Sequence, residues 1–168
     1  QQKYGFSKQN VFCAGMSNGG EMCYLLAARK PDLFAAVAPI SGLMMEWLYK
    51  SDTSTLPVPL FEIHGTEDKI SAWEGDPDNK GGWGEYIPVP LAVHFCAAKN
   101  RCTLMQTDTV TGKAPNNRTI VKHRFSGGTN ESEVWLYEMI GGKHSWFWDD
   151  MDTGDELWKF FSMYVDRE

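Results

Sequence analysis

The sequence predicts an α/β fold in which helices flank a mostly parallel β-sheet. Its short strand-like segments are apolar throughout, as expected of parallel strands that are buried on both faces. Segments with helical spacing alternate with these strands along the chain. A glycine-rich turn joins the first strand directly to the first helix. At 168 residues, with 42% hydrophobic and 23% charged residues, the chain has the size and composition of one globular domain.

The N-terminal half supplies three of the predicted strands. The strand Val11–Ala14 leads into a helix from about Asn18 to Lys30, and a proline ends that helix. The second strand is Phe34–Ile40, and the third runs from Pro57 to His64. Residues 43–55, between them, are ambiguous and are compatible with a short helix that has a polar end.

The C-terminal half continues the alternation of helices and strands. Pro90 is suited to the first position of a helix that extends to about Lys99. Residues 119–125 and 133–140 alternate in the manner of strands, either as a hairpin or as two strands of which one joins the main sheet. The last helix is expected to begin at Thr153, with Glu156 completing a capping box.

The charge and the cysteines limit the classes of partner and the compartment only in part. A net charge of −6 argues against a nucleic acid or an anionic membrane as partner. No apolar run reaches the roughly 18 residues that a bilayer span needs. Cys13 and Cys23 are expected to be buried free thiols. Cys96 and Cys102 are close enough in sequence to pair, and their spacing leaves that question open.

The turn after the first strand carries the G-x-S-x-G pattern of a nucleophile elbow. Gly15 and Gly19 flank Ser17 between the predicted strand and the predicted helix. A turn this tight strains the serine backbone, and both glycines are expected to avoid a clash between strand and helix. The pattern therefore predicts that Ser17 is a nucleophile, with the backbone N–H of Asn18 as one oxyanion donor.

A serine nucleophile needs a base, and the base needs a carboxylate that orients it. Asp68 follows the third strand, and His144 lies between the last strand and the last helix. The order Ser17, Asp68, His144 is that of the α/β-hydrolase triad. Glu67 remains an alternative acid, and His64 is expected to shape the Asp68 turn by hydrogen bonding.

The other candidate residues carry weaker signals. His94 and His123 are interpreted as structural or surface residues. No paired ligand spacing supports a metal site at His64, Asp68 and His144, so no metal or organic cofactor is predicted. Four tryptophans in loop-like sequence either line a site for a ring-bearing or sugar-bearing ligand or pack on the core: Trp73, Trp83, Trp146 and Trp148.

Four segments in this order resemble the polyhydroxybutyrate depolymerase/feruloyl esterase group of α/β-hydrolases. They are Gly-Met-Ser-Asn-Gly-Gly from Gly15, residues 29–39, His-Gly-Thr-Glu-Asp from His64, and Gly-Gly-Lys-His-Ser-Trp from Gly141. The resemblance implies a secreted or periplasmic serine esterase with the triad named above. It also implies action on polyesters, or on feruloyl and acetyl esters of plant polysaccharides. Trp146, two residues after His144, matches a tryptophan common in that group. With Trp73, it is predicted to bind substrate.

One departure from that group concerns the strands before the elbow. Only about ten residues precede it, so a loop that would supply the second oxyanion N–H is absent from this sequence. We therefore expect residues 1–168 to be the C-terminal portion of a single α/β-hydrolase domain. The open edge of the strand Val11–Ala14 is expected to bind the remaining N-terminal part of the fold or a second chain.

The sequence thus predicts a serine carboxylic-ester hydrolase that acts through an acyl-enzyme. One alternative is a serine peptidase of the prolyl oligopeptidase type, which shares the elbow and the order of acid and histidine. The other is a fragment without catalytic activity, in which the tryptophans bind a glycan.

Overall fold

A computed structural model of the chain describes residue 3 and residues 7–165. The strands are β1 (Phe12–Met16), β2 (Ala36–Ile40), β3 (Leu60–Gly65), β4 (Leu104–Thr111), β5 (Thr119–Ser126) and β6 (Val134–Met139). The α-helices are α1 (Asn18–Arg29), α2 (Glu46–Ser51), α3 (Val89–Lys99) and α4 (Thr153–Phe161). Two short 3₁₀ helices cover Thr129–Glu131 and Ser162–Tyr164.

All six strands belong to one sheet, in the order β1-β2-β3-β6-β5-β4. The first four strands in that order are parallel, whereas β5 and β4 are antiparallel to their neighbours. Every residue of β2 and β3 is buried, which explains why β2 is apolar throughout and why β3 is apolar except at Glu62 and His64. β5 and β6 form a hairpin and both lie in the main sheet, so the two interpretations of residues 119–140 are both partly correct.

β4 is the strand that the sequence did not predict. All eight of its residues are exposed, so no apolar face repeats at every second position. It is held by hydrogen bonds to β5 along its whole length, from the pair Leu104–Ser126 to the pair Thr111–Thr119. Hydrogen bonding to the neighbouring strand, rather than burial, therefore stabilises β4 as a strand. Such pairing does not produce a recognisable pattern in the local sequence.

Helices cover both faces of the sheet, as the alternating pattern predicted. On one face α1 and α3 pack on the sheet through small and medium apolar side chains, among them Ala27 and Val93. On the other face α4 contributes Phe160, which contacts the rings of Phe61 and Trp135. The predicted α/β layers are therefore confirmed, and no helix in the described ranges has the length and apolarity to cross a membrane.

α4 begins at Thr153, as predicted, but the predicted capping box of Thr153 and Glu156 was wrong. Asp152, not Thr153, is the N-cap, because its carboxylate accepts the N–H of Asp155 at 3.1 Å. The hydroxyl of Thr153 instead donates to the carbonyl of Trp146 at 2.6 Å, which ties the helix to the loop after β6. Cys96 and Cys102 are free thiols, as are Cys13 and Cys23.

β1 lies at the edge of the sheet and, within the described ranges, pairs only with β2. On the side of β2, the carbonyl of Val11 accepts the N–H of Ala35 and the N–H of Ser17 donates to the carbonyl of Ile40. Since backbone groups alternate in direction along a strand, those of Phe12, Ala14 and Met16 point to the open side.

The predicted steric need for glycine holds at only some of the glycines around the elbow. A Cβ on Gly15 would lie 2.6 Å from the backbone of Gly19, so the predicted steric need is confirmed there. A Cβ on Gly19 would meet nothing within 4 Å, so the prediction for that residue was wrong. The second tight approach belongs to Gly20, where a Cβ would lie 2.7 Å from Gly42 at the end of β2.

Substitution of these glycines should separate the two positions. We expect Gly15→Ala to lower the free energy of unfolding by about 1–3 kcal/mol, because strand and helix must move apart. Gly19→Ala should change it by less than about 1 kcal/mol, in the stabilising direction, because Gly19 is helical and has free space. Urea denaturation of both variants measures the difference. Equal destabilisation would contradict this account of the elbow.

Candidate active site

Ser17 occupies a strained turn between β1 and α1. Its φ is 57° and its ψ is −123°, a combination that a non-glycine residue rarely adopts. The surrounding backbone holds it there: its N–H donates to Ile40 O at 2.9 Å, and its carbonyl accepts the N–H groups of Gly20 and Glu21. The structure therefore has the local geometry of a nucleophile elbow, at the end of the strand where α1 begins.

Asp68 lies in the turn after β3 and is 5% exposed. One carboxylate oxygen, Oδ1, accepts the backbone N–H groups of Ile70 at 2.8 Å and Ser71 at 2.9 Å. The other, Oδ2, lies 2.8 Å from Nδ1 of His144. Glu67, the alternative acid, is exposed, so the structure brings Asp68 rather than Glu67 to the histidine.

His144 lies in the loop after β6, and that loop is joined to the Asp68 turn by backbone contacts. The N–H of Glu67 donates to Gly142 O at 2.9 Å, and the N–H of Gly141 donates to Thr66 Oγ1 at 2.8 Å. Gly65 and Gly142 approach so closely that a Cβ on Gly65 would overlap the Gly142 carbonyl. The carboxylate at Nδ1 keeps a proton on that nitrogen and leaves Nε2 of His144 to act as an acceptor.

The end of β2 connects Ser17 with the His144 loop. Ile40 accepts the N–H of Ser17, and the hydroxyl of the next residue, Ser41, donates to the carbonyl of Ser145 at 3.3 Å. Among the described residues, no hydrogen bond joins the Ser17 hydroxyl to His144 itself. Such bonds often tighten only in the substrate complex. The structure thus brings two of the three predicted residues into contact and places the third at the same edge of the sheet.

A cleft of about 340 Å³ opens at Ser17. Its lining residues come from the elbow and α1, from the segment after β2, from the Asp68 turn and from a loop before α3: Ser17, Asn18, Glu21, Leu43, Ile70, Ser71 and Trp83. The N–H groups of Gly20 and Glu21 are bound to the Ser17 carbonyl, so the first free amide of α1 is that of Asn18, at the cleft. Partial burial raises the pKa of the Glu21 carboxyl.

The tryptophans predicted to bind substrate lie elsewhere. Trp73 packs against the ring of His64 and lines a separate cavity of about 270 Å³ with His94 and His123. Trp146 stacks on Trp148 with ring centroids 5.8 Å apart. Neither Trp73 nor Trp146 is among the described residues that line the Ser17 cleft, and their role in binding stays a prediction.

Trp83 is the tryptophan that faces this cleft, and it is 64% exposed. It is one of the four loop tryptophans in the sequence, and nothing in the local pattern distinguished it from the others. Sequence reasoning also missed Glu62, a fully buried carboxylate in β3 that bonds to His64. Its signal was present: a carboxylate and a histidine two positions apart point to the same side of an otherwise apolar strand.

Residues 1–86 match the model of the prolyl oligopeptidase family. The chain belongs to that family. The matched span includes the elbow and the Asp68 turn, whereas His144 lies beyond it. Membership of the polyhydroxybutyrate depolymerase/feruloyl esterase group of α/β-hydrolases stays a prediction.

Two curated proteins are similar to this family member. The protein named "Putative esterase NocK" from Nocardia uniformis subsp. tsuyamanensis is 25% identical over 146 residues, which cover 82% of this chain and 42% of that protein. The bifunctional acetylxylan esterase/xylanase XynS20E from Neocallimastix patriciarum is 30% identical over 70 residues, or 42% of this chain and 10% of that protein. The chain thus spans less than half the length of either relative.

A solved structure shares the fold. The crystal structure of a single-substitution variant of Arabidopsis thaliana SOBER1 superposes with a TM-score of 0.52 at 14% sequence identity, covering 98% of this chain and 58% of that one. At this identity the match shows the fold alone, which is that of part of an α/β-hydrolase. Taken together, the family match and the relatives support a serine hydrolase of the α/β-hydrolase type.

Replacement of the acid should reveal its role. We expect Asp68→Asn to lower the kcat for p-nitrophenyl acetate by up to about 10⁴-fold, because an amide at this position favours the wrong tautomer of His144. Glu67→Gln is the matched control, since Glu67 is adjacent and exposed. Its kcat should stay within about twofold of the unmodified protein. Equal losses in the two variants would contradict the assignment of Asp68.

Proposed function

We propose that this chain carries the catalytic site of a serine carboxylic-ester hydrolase. The observation that supports it best is the 2.8 Å hydrogen bond between Asp68 and His144, at the sheet edge where Ser17 is held in a strained turn. A carboxylate that orients a histidine beside an activated serine is the arrangement used in acyl transfer.

In this mechanism Ser17 attacks the ester carbonyl while Nε2 of His144 takes the proton from its hydroxyl. Asp68 holds the imidazole and stabilises it once it is charged. The Asn18 N–H, at the positive end of α1, binds the developing oxyanion. His144 then gives its proton to the leaving alcohol, and water hydrolyses the acyl-enzyme with the same base. Every proton moves through His144, and the mechanism needs no metal.

For the substrate, we propose feruloyl or acetyl esters of plant polysaccharides, with polyesters as the other possibility. Two features of the cleft support a sugar-linked ester. The exposed indole of Trp83 offers a flat apolar surface of the kind on which sugar rings stack, and Glu21 offers acceptors for hydroxyl groups. One of the two relatives, XynS20E, is named as an acetylxylan esterase/xylanase. This substrate class implies a secreted or periplasmic protein, as the sequence resemblance does.

A serine peptidase of the prolyl oligopeptidase type is the second candidate. The family match over residues 1–86 favours it, and the same triad would serve amide hydrolysis. The two candidates differ in the leaving group, which is an alcohol in one and an amine in the other.

We also propose that further chain completes the sheet beside β1. The backbone groups of Phe12, Ala14 and Met16 that point to its open side would pair with a strand from the remaining N-terminal part of the fold or from a second chain. That neighbour would supply the second oxyanion donor, whose loss typically costs about 10²- to 10³-fold in rate.

Hydrolysis of an ester and of an amide separates the two candidates. We expect turnover of p-nitrophenyl acetate and methyl ferulate, and little turnover of a peptide p-nitroanilide with proline before the scissile bond. Ser17→Ala should abolish ester turnover, whereas Ser51→Ala, at an exposed serine that ends α2 and does not line the cleft, should retain most of it. The opposite preference between substrates would favour the peptidase. Ester turnover that survives in Ser17→Ala would overturn both candidates.

A further inference from the structure

A hydrogen-bonded chain of buried polar groups lies directly beneath the candidate triad. Nδ1 of His64 is 2.8 Å from Oε1 of Glu62, and the hydroxyl of Tyr24 donates to Oε2 of the same carboxylate at 3.0 Å. All three side chains are buried: Glu62 and His64 are 0% exposed and Tyr24 is 2% exposed. A buried pair of ionisable groups carries a large desolvation cost, so its retention in an apolar strand needs a reason.

The partners of these groups determine their protonation. Nε2 of His64 lies 2.8 Å from the carbonyl of Ser71, which can only accept, so Nε2 carries a proton. Oε2 of Glu62 accepts the Tyr24 hydroxyl, and Oε1 accepts the Gly42 N–H at 3.3 Å and lies 2.8 Å from Nδ1 of His64. This arrangement fits an ionised carboxylate beside an imidazolium that donates from both nitrogens.

The electrostatic surroundings agree with that assignment for His64. Burial alone would lower the pKa of His64, but the hydrogen bond and the charge of Glu62 raise it above its usual value. Burial raises the pKa of Glu62, and the hydrogen bonds from His64 and Tyr24 oppose that rise. The Tyr24 hydroxyl and the Gly42 N–H both donate to Glu62, and these two donors favour its role as the acceptor of the pair.

His64 reaches the candidate acid through Ser71. The carbonyl of Ser71 binds Nε2 of His64, while the N–H of Ser71 donates to Oδ1 of Asp68 at 2.9 Å. The imidazole nitrogen itself is 3.6 Å from Oδ2 of Asp68, the oxygen that binds His144. One side chain therefore fixes the turn that carries Asp68 and places a positive charge beside its carboxylate.

We propose that His64, held by Glu62, is a positioning residue that fixes Asp68 against His144 and adds a buried positive charge beside that pair. The proposal rests on the function proposed above. The carboxylate of Glu62, itself bound by the hydroxyl of Tyr24, stabilises this positive charge in the protein interior. His64 touches no substrate, so its effect on the reaction passes entirely through Asp68.

Several other ionisable groups surround the buried pair. Besides Asp68 and His144, four such groups come from the packed elements. α1 contributes Tyr24 and Cys23, α3 contributes Cys96, and the neighbouring strand β6 contributes Glu138, which pairs in register with His64. Burial raises the pKa of Cys23 and lowers its tendency to ionise, and it raises the pKa of Cys96 to about 12. Glu138 is bonded to His123 at 3.2 Å. Apart from His144, the base itself, none of these groups can place a cation beside Asp68.

The test compares His64→Gln and Glu62→Gln with His123→Gln in the full chain. His123 is the matched control, because it also pairs with a glutamate but does not contact Asp68. For the first two variants we expect kcat for p-nitrophenyl acetate to fall roughly 10- to 100-fold with KM within about twofold, because misplacement of a catalytic group costs rate more than binding. The control should keep its kcat.

The pH profile gives a readout that a merely structural role would not move. Removal of a cation near the Asp68–His144 pair makes the protonated form of the base more favourable, so the acid limb of kcat/KM should move to higher pH in both variants. An unchanged limb together with an unchanged kcat would overturn the proposal. A loss of kcat without any shift of the limb would reject the charge effect.

A measurement without turnover separates this proposal from the proposed function. In the ¹⁵N-histidine NMR spectrum of the unmodified protein, we expect both ring nitrogens of His64 to carry protons at neutral pH. A neutral His64 would overturn the proposal even in an active enzyme. A charged His64 in a protein that hydrolyses no ester would instead overturn the proposed function. If His64→Gln fails to fold, the NMR spectrum of the unmodified protein and the kinetics of Glu62→Gln still test the proposal.

Discussion

The contact between the turn after β3 and the loop after β6 is the constraint on which the site depends. β3 and β6 are neighbouring parallel strands, so both segments leave the sheet at the same edge. The close approach of Gly65 to Gly142 lets the Glu67 N–H donate to the Gly142 carbonyl, and this contact brings Asp68 and His144 within hydrogen-bonding distance. Without that approach, an acid and a histidine 76 positions apart would have no fixed geometry.

The sequence predicted what depends on burial and on tight turns. The apolar sequence of β2, the mainly apolar sequence of β3, the glycine at position 15 and the strand-end positions of Asp68 and His144 all have local physical causes. β4 escaped prediction because only pairing determines it. The cleft escaped because its wall combines α1, the end of β2 and a distant loop, and no local pattern distinguishes Trp83 from the tryptophans that pack elsewhere.

The buried groups extend the site into the core. A triad described only by its three residues ends at Asp68, yet that carboxylate is held by a turn that His64 and Glu62 hold in place. The elbow strand β1 has less support than the strand that leads to Asp68. Among the described residues it pairs with a neighbouring strand on one side only. The interior thus supports the acid and base of the proposed site. For the oxyanion, we propose the Asn18 N–H of α1 as the donor among the described residues.

A crystal structure of the protein after reaction with a fluorophosphonate tests the central claim most directly. The account predicts phosphorus bonded to Oγ of Ser17, Nε2 of His144 within hydrogen-bonding distance of that oxygen, and Nδ1 still bound to Asp68. An adduct on another residue would contradict the account. An adduct on Ser17 with the imidazole turned away from it and separated from Asp68 would contradict it as well.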